Sequence, residues 1–407
     1  MSGPSWSVGP VWVPTESQPD GRSVRTWLLG LLVVLMLIAG GWVAIVKGAD
    51  GYYAFSPGSA PQITNSAHCQ LGAGGSYLLL PDGAPCVLIS VPSGRGHPVA
   101  GSLYMVDVLV GPATPYEYIL QKLHLLHTLK DGTQLYPKGE VLGTTPAAQL
   151  PCQDAQEMTG STSAAAVVAL SRLGYPVKED DLGAELQEVA PGTPAAAAGL
   201  QCNDLVIAIN GVTIHTASDL VSAVHSAKPG QTVRVTVSRV GSDGKAVTVT
   251  IPARLSGTPA ISGEPANPHE AFLGVVTFTQ STYSFPFDVS IEVGDIGGPS
   301  AGLALTLGLL DILSNGELTG GHRVAATGTI SLNGAVGDVG GVAQKAVAVR
   351  DAGAQLFLVP PQEYAVAKSE AGSMKIEAVS TLQQALADLQ AIGGRIPPAQ
   401  PSQNGGG

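Results

Sequence analysis

Charge is scarce in this chain of 407 residues. Asp, Glu, Lys and Arg together make up 13% of it, about half the share usual in soluble domains. Acidic residues outnumber basic ones by 31 to 20, which gives a formal net charge of −11. Because a protein that binds nucleic acid needs a basic surface, this composition argues against nucleic acid as a partner. The length allows two or three domains.

Phosphate-binding and metal-binding motifs are missing as well. The chain has no G-x-x-x-x-G-K-[ST] loop, which an ATPase of the P-loop class needs. The cysteines are too widely scattered for a zinc signature. His124 and His127 are spaced to share a helix face, but no third ligand is evident at a suitable spacing. We therefore expect no metal, no other cofactor and no built-in ATP-driven step.

One long apolar run is present, from Thr26 to Val46, and it contains no charged residue. About 20 such residues span a bilayer as a helix. Trp27 and Trp42 lie near its ends, where interfacial aromatic residues are favoured. The alternative is a cleavable signal peptide, whose apolar core is usually only about 7–15 residues long. We predict an uncleaved transmembrane helix over residues 26–47.

The charges that flank this run predict its orientation. Arg22 and Arg25 precede it, whereas Lys47 and Asp50 follow it. The positive-inside rule then places residues 1–25, which are rich in Pro, Ser and Gly, in the cytoplasm as a disordered tail. The rest of the chain is expected on the outer side of the cell membrane, held there by a single span.

The four cysteines have a structural meaning in that compartment. An even number of cysteines in an oxidising environment favours disulfides. From proximity in sequence and shared folding units, we predict that Cys69 pairs with Cys86 and that Cys152 pairs with Cys202. The alternative is a set of reduced, buried cysteines.

Residues 52–182 are predicted to form an N-terminal extracytoplasmic α/β region. The stretches Val87 to Val91 and Ser102 to Val110 are strand-like and are bounded by Gly and Pro. Pro115 to Leu129 and residues 153–173 have helical patterns. With the segments that follow, the expected fold class is α+β.

Residues 183–254 differ in character from the region before them. A short helix that begins at Pro194 lies between two apolar strands, and Asn210-Gly211 is a strong hairpin signal. A second helix is predicted from Ser218 to Ala227, with a capping residue at its start. This order of elements resembles a PDZ domain of the kind associated with proteases.

That resemblance implies a groove that takes an extended peptide as an added strand, often by its C-terminal carboxylate. We place the loop that faces the carboxylate at Leu182, Gly183 and Ala184. The alternative is that this module only packs on its neighbour and binds nothing. Residues 255–268, rich in Pro and Gly, predict a linker to the next domain.

The turn Gly297 to Gly302 reads Gly-Gly-Pro-Ser-Ala-Gly and leads into an apolar run from Leu303 to Leu313. It places Ser300 at the start of a predicted helix, where backbone N–H groups have no intrahelical acceptor. Such groups suit the negative charge that develops in acyl transfer. The alternative is an ordinary glycine-rich turn with an exposed serine.

Lys345 follows a double glycine and lies among apolar neighbours in the stretch from Gly340 to Val349. On a helix, the positions three and four residues away hold only Gly, Ala and Val. Desolvation there disfavours the charged amine, and a neutral amine is able to act as a general base. The alternative is a lysine whose stem lies on apolar surface while its head reaches water.

Together these stretches resemble the Ser–Lys dyad of Lon-type serine peptidases. Gly-Pro-Ser-Ala-Gly is followed, some forty residues later, by a helical lysine after a double glycine, and Thr327-Gly328 matches the family's Thr-Gly strand. Gly298 stands where many ATP-dependent members have an acidic residue. Glycine there resembles the membrane-anchored bacterial branch, which joins a PDZ domain to the peptidase domain without an ATPase. The resemblance assigns residues 269–392 to the peptidase domain and leaves residues 393–407 as a disordered tail.

The resemblance implies a specific mechanism. Ser300 would attack the peptide carbonyl, Lys345 would act as general base, Gly298 and Ser300 would donate N–H groups to the oxyanion, and Thr327 would orient Lys345. The expected activity is ATP-independent endopeptidase cleavage of extracytoplasmic or membrane-associated proteins, with the PDZ domain recruiting substrate or regulating access. Protein or peptide substrates are the expected partners. A homo-oligomer is also possible, because Lon-type domains commonly form rings.

Two functions of other classes stay open. The chain would be an inactive membrane-tethered scaffold if the PDZ domain binds peptides while the peptidase-like domain is only structural. It would be a small-molecule kinase if the glycine-rich turn cradles phosphate, although no carboxylate pair for magnesium is evident nearby.

Overall fold

The structure is a computed structural model that describes residues 21–66, 68–72, 78–125, 132–143, 145–241, 244–260 and 265–399. Within them the helices are α1 Gly21–Ala49, α2 Pro115–Lys122, α3 Lys138–Leu142, α4 Leu150–Arg172, α5 Pro194–Ala198, α6 Ala217–His225, α7 Gly302–Leu313, α8 Val342–Asp351, α9 Tyr364–Glu370 and α10 Leu382–Ala391.

The strands before the PDZ region are β1 Tyr52–Pro57, β2 Gln62–Thr64, β3 Gln70–Leu71, β4 Leu78–Leu79, β5 Pro85–Ser90, β6 Ser102–Tyr104, β7 Val108–Pro112 and β8 Gln134–Pro137. Those of the PDZ region and the segment that follows it are β9 Lys178–Val189, β10 Leu205–Ile209, β11 Val212–Thr213, β12 Thr232–Val240, β13 Ala246–Arg254, β14 Ser256–Thr258, β15 Asn267–Phe272 and β16 Val275–Ser284. The remaining strands are β17 Ser290–Glu292, β18 Arg323–Ala326, β19 Thr329–Ile330, β20 Val336–Gly337, β21 Leu356–Val359 and β22 Lys375–Ala378.

Helix α1 contains the predicted span and extends beyond it at both ends. Its stretch Trp27–Ala49 has the length and hydropathy of a membrane-crossing helix, criteria that a signal sequence near the N-terminus also meets. Residues 1–20 of the predicted tail lie outside the described residues. The last turn of α1 packs on the body of the protein, where Ala49 is buried and Gly48 lies against the ring of Tyr118.

The largest sheet takes strands from both sides of the PDZ region. Its order is β22-β21-β18-β6-β2-β5-β4-β3, and β17 pairs with β5. The central contact joins β6 to β18 in parallel, with Leu103 opposite Val324. The sequence suggests separate units at residues 52–182 and 269–392, whereas these strands form one sheet. Strand pairing between distant segments leaves no local signal, which explains the difference.

Helix α7 packs on this sheet, and α4 packs on α7, so that the sheet and the two helices form the main core. Every residue of α7 is buried, and α4 contributes a run of apolar side chains from Ala165 to Leu170.

Residues 393–399, assigned to a disordered tail from the sequence, instead lie on the body formed by this sheet and its helices. Arg395 pairs with Glu317 there, and the carbonyl of Pro397 accepts a hydrogen bond from Arg172.

The PDZ region forms its own sheet in the order β13-β12-β10-β9-β16, with β11 on β10. Asn203 and Asn210 both have positive φ, at 68° and 52°, as their places in turns require. Thr216 caps α6 through a capping box. Strand β16, which follows the predicted linker, pairs along the full length of β9. The linker itself is not free of structure, because β14 pairs with β15.

Three strands make a small separate sheet in the order β7-β1-β8.

Two disulfides are present, Cys69–Cys86 and Cys152–Cys202, and these are the pairs expected from the sequence. The first joins the segment before β3 to β5. The second joins α4 to a turn of the PDZ domain, so it links the core of the larger body to that domain.

Candidate active site

The glycine-rich turn presents Ser300 at the start of α7. Gly298 has a φ of 87°, which favours glycine. Pro299–Ala301 then form a short 3-10 turn that continues into α7. Contacts from two elements hold this turn in place. Ser161 of α4 donates a hydrogen bond to the carbonyl of Pro299 at 3.2 Å, and the N–H of Gly328 donates to the carbonyl of Ser300 at 2.9 Å.

The N–H of Gly298 is already engaged. It donates to the carbonyl of Asp154 on α4 at 2.8 Å. The expected oxyanion donor at this position is therefore not free in this conformation, and Gly298 becomes available only if the turn separates from α4. No local pattern predicts this contact, because Asp154 lies in a helix far away in the chain.

Lys345 lies near the start of α8 and is almost completely buried, with 3% of its surface exposed. Desolvation lowers the pKa of its ammonium to about 8, against the opposing attraction of the carboxylates of Asp107 and Glu363. A substantial fraction of the amine is then neutral near physiological pH. The desolvated environment expected from the apolar helix neighbours of Lys345 is present, together with two carboxylates that oppose its effect on the pKa.

Thr327 connects the two halves of the site. Lys345 Nζ donates to Thr327 Oγ1 at 3.2 Å. Thr327 Oγ1 in turn donates to the backbone carbonyl of Ser300, also at 3.2 Å. Thr327 is fully buried, and its backbone N–H donates to the carbonyl of Leu358 on β21. The end of β18, directly before Thr327, therefore places this hydroxyl between the lysine amine and the serine backbone.

Ser300 and Lys345 line the same cleft, which has a volume of about 420 Å³. Its walls come from β1, the segment around β7, α4, the glycine-rich turn and the start of α8. The apolar side chains that line it are Phe55, Met105, Val106, Val108, Val110, Met158, Ile296, Pro299, Ala301 and Val339. A larger cleft of about 610 Å³, beside β5 and β17, contains neither residue. The shared cleft is therefore the candidate active site.

Two carboxylates near Lys345 were not identified from the sequence. Asp107 accepts hydrogen bonds from both the N–H and the hydroxyl of Ser59, and it lines the cleft. Glu363 accepts from the N–H of Val339, and burial raises the pKa of its carboxyl. Asp107 lies inside a stretch that the sequence predicts as continuous strand, so nothing marked it as a neighbour of Lys345.

The residues predicted to face a peptide carboxylate lie in the PDZ sheet, outside the cleft of Ser300 and Lys345. Leu182, Gly183 and Ala184 are within β9, between β10 and β16, and not in a loop. Ala184 pairs with β10 and β16 and Gly183 pairs with Gln280 of β16, so these two residues belong to the sheet and not to a carboxylate-binding loop. The described residues hold no group of three or more His, Cys, Asp or Glu arranged for a metal ion.

Two regions of the chain match models of known protein families. Residues 171–252 match the model of the PDZ domain, and residues 289–391 match that of the Lon protease C-terminal proteolytic domain. The chain therefore contains a PDZ domain followed by a Lon-type proteolytic domain, a domain of serine peptidases.

Individual relatives cover only part of the chain. Lon protease 2 of Bacillus subtilis is 31% identical over 120 residues, which are 28% of this chain and 21% of that protein. Lon protease 2 of Thermus thermophilus is 37% identical over 101 residues, or 24% of this chain and 12% of that protein. This chain thus spans about a fifth or less of the length of these relatives.

Among solved structures, the PDZ domain of the SdrC-like protein from Listeria monocytogenes is 23% identical. It covers 24% of this chain and 87% of that chain, with a TM-score of 0.18. The identification of the PDZ domain depends on the family model and on the order of its elements.

Proposed function

We propose that this chain, with its Lon-type proteolytic domain behind a PDZ domain, is an ATP-independent serine endopeptidase anchored in the cell membrane. Ser300 is its nucleophile and Lys345 its general base. The observation that supports this most directly is that a buried lysine and a serine line one cleft, where Thr327 accepts a hydrogen bond from the lysine amine and donates one to the backbone carbonyl of the serine. The substrates are extracytoplasmic or membrane-associated proteins.

The reaction proceeds by acyl transfer. Lys345 in its neutral form takes the proton of Ser300 as Oγ bonds to the peptide carbonyl carbon. The carbonyl oxygen becomes an oxyanion, stabilised by the N–H of Ser300 and, once the turn separates from α4, by the N–H of Gly298. Collapse of this intermediate breaks the C–N bond, and Lys345 returns the proton to the leaving amine. Water then attacks the acyl-enzyme carbonyl carbon as Lys345 takes its proton. The ester bond to Ser300 Oγ breaks, and Lys345 returns the proton to Oγ.

The electrostatics of Lys345 suit this task. A base with a pKa of about 8 is partly neutral at physiological pH and still basic enough to take a hydroxyl proton. Asp107 and Glu363 stabilise the ammonium that forms during proton transfer. Thr327 accepts a hydrogen bond from the amine and so fixes its direction.

The PDZ domain recruits unfolded or flexible segments. Strand β16 lies at the edge of its sheet among the described residues, next to α6, and Thr279 of β16 accepts a hydrogen bond from the N–H of Ala217 at the start of α6. An extended peptide added to this edge would lie along α6. This placement replaces the one predicted at residues 182–184.

The experiment that tests the proposal is peptidase assay of the purified full chain in detergent or vesicles. Wild type is expected to cleave an unfolded protein without ATP, and Ser300→Ala is expected to lose at least about 1,000-fold in rate. A matched Ser163→Ala variant, on α4, should keep its activity. Undiminished cleavage by Ser300→Ala would refute the assignment of the nucleophile.

The scaffold alternative gives a different result in the same experiment. An inactive PDZ scaffold would show no cleavage by wild type, while a peptide would still bind at β16 and α6. A serine-directed reagent that labels Ser300 in wild type but not in Lys345→Met would favour the enzyme, because labelling needs the activated hydroxyl.

A further inference from the structure

Helix α1 continues into the body of the protein without a flexible linker. It ends at Ala49, and β1 begins at Tyr52. Hydrogen bonds span the two residues between them. The N–H of Asp50 donates to the carbonyl of Val46, and the carbonyl of Gly51 accepts from the N–H of Lys138. The end of the helix is therefore fixed to the body.

Strand β1 leads directly into the active-site cleft. Phe55 lines this cleft and is six residues beyond Ala49. Six extended residues cover at most about 20 Å. The stretch Trp27–Ala49 has 23 residues and is about 34 Å long as a helix, slightly more than the hydrocarbon thickness of about 30 Å. Ala49 then lies near the level of the lipid headgroups, and the cleft wall lies within about 20 Å of that level.

The side chains around this junction have the composition of a membrane interface. The rings of Tyr52 and Tyr118 are 5.7 Å apart. Lys122 lies over the Tyr118 ring at 5.2 Å, and Lys138 lies over the Tyr53 ring at 5.7 Å. Tyrosine is enriched at headgroup level, and lysine near a helix end reaches into the same zone.

From this geometry we infer that the enzyme selects its cleavage sites by distance, and that its substrates are the membrane-proximal segments of proteins anchored in the same bilayer. This inference depends on the membrane anchor and the peptidase activity proposed above. A substrate segment of about six extended residues beyond its own span is long enough to reach the cleft. Longer flexible segments reach it at an effective concentration that falls roughly as the −3/2 power of their length.

The test uses the full chain in lipid vesicles with a ladder of single-span reporter proteins. Each reporter carries the same cleavable sequence in a Gly/Ser-rich segment, placed about 8, 16, 32 or 64 residues from its span. Wild type is expected to cleave the two shortest fastest and to be about eightfold slower at the longest than at about 16 residues. Equal rates along the ladder would overturn the inference.

A spacer variant supplies the matched control. A Gly/Ser insertion of about 20 residues between Asp50 and Gly51 lengthens the tether while leaving the cleft unchanged. The preferred distance is expected to move outward in this variant. A free peptide of the same sequence should be cleaved equally by both proteins, which shows that the site is intact. An unchanged profile in the spacer variant would contradict the inference.

The membrane anchor, the peptidase activity and the distance selection are each refuted by a different result. Loss of the protein from the vesicles on alkaline extraction would refute the anchor. Absence of cleavage of the free peptide by wild type would refute the peptidase assignment. Retention in the membrane and cleavage of the free peptide, together with a flat ladder, would refute distance selection alone.

Discussion

The amine of Lys345 donates a hydrogen bond to the hydroxyl of Thr327, which itself donates to the backbone carbonyl of Ser300. One buried hydroxyl thus connects the proposed base to the turn that holds the proposed nucleophile. Thr327 directly follows β18, an interior strand of the main sheet, and its N–H is bonded to Leu358 of β21. The direction of the amine is therefore determined by the fold and not by the flexible lysine stem.

Replacing Thr327 by valine should separate positioning from folding. The methyl group keeps the volume but removes the acceptor for Lys345, so we expect kcat to fall about 10- to 100-fold with little change in KM. Thr327→Ser should restore most of the activity, because it keeps the hydroxyl. Steady-state kinetics of the two variants measure this. Equal losses in both would show that Thr327 contributes only packing.

The pH dependence of kcat/KM should follow the titration of Lys345 in the free enzyme. Burial lowers its pKa to about 8, and only the neutral amine accepts the proton. About a tenth of the enzyme is competent at pH 7 and about nine-tenths at pH 9, so activity should rise with pH and reach half its maximum near pH 8. A profile that is flat from about pH 6 to 9 would contradict the role of Lys345 as base.

Replacing Asp107 by asparagine should move that profile to lower pH. The carboxylate of Asp107 favours the charged form of Lys345, so its removal lowers the pKa of the amine further. The midpoint of the normalised pH profile reports this shift even if kcat also changes. The matched control is Asp351→Asn. Asp351 is on α8, the helix of Lys345, and its carboxylate pairs with Arg350. This substitution should not change the midpoint of the profile.

A charge at the edge of the PDZ sheet should weaken recruitment without changing the chemistry. Val276 on β16 is 50% exposed. Val276→Asp is expected to raise KM for an unfolded protein about 10-fold or more, because an unpaired charge would meet the added strand. The rate with a short peptide should not change. Val212→Asp, at an exposed valine on β11, should behave as wild type with both substrates. Equal effects of the two substitutions would place the groove elsewhere.

The buried carboxyl of Asp311 should make the stability of the folded protein depend on pH, independently of catalysis. It is buried in α7, and burial raises the pKa of its carboxyl to about 6. The folded state therefore holds this proton more tightly than the unfolded state, and stability is lost as the pH rises through about 6. Asp311→Asn keeps the acceptor for the N–H of Leu318.

The Asp311→Asn variant should therefore be more stable than wild type at pH 8, by up to about 3 kcal/mol, and should show little difference at pH 4. Denaturant unfolding of both proteins at the two pH values measures this. A stability difference that does not change with pH would show that the carboxyl of Asp311 ionises normally.

Local patterns predicted the parts of the site that are continuous in sequence. The turn around Ser300 and the helix of Lys345 both follow from glycine placement and apolar runs. Asp107 did not, because the stretch from Ser102 to Val110 alternates as one strand, whereas the fold breaks it into β6 and β7. That break places Asp107 where Ser59 donates to it and where its charge acts on Lys345.

Contacts between distant segments account for the other differences. The N–H of Gly298 is paired with Asp154 because α4 packs beside the turn, and no pattern in either segment predicts this. The resemblance to a PDZ domain predicts a loop at residues 182–184, whereas the structure places Gly183 within β9, paired with Gln280 of β16. Its place between two strands explains the glycine instead, since a side chain there would press against the carbonyl of Val206.

The interleaving of β6 with β18 has a consequence for biogenesis. The sheet of the catalytic half is not complete until β18, β21 and β22 have been synthesised. Strands β2 to β6 pair with one another first, so one edge of β6 stays open while the PDZ domain folds ahead of its partner β18. The cleft therefore assembles late, because Ser300, Thr327 and Lys345 all follow the PDZ domain in the chain.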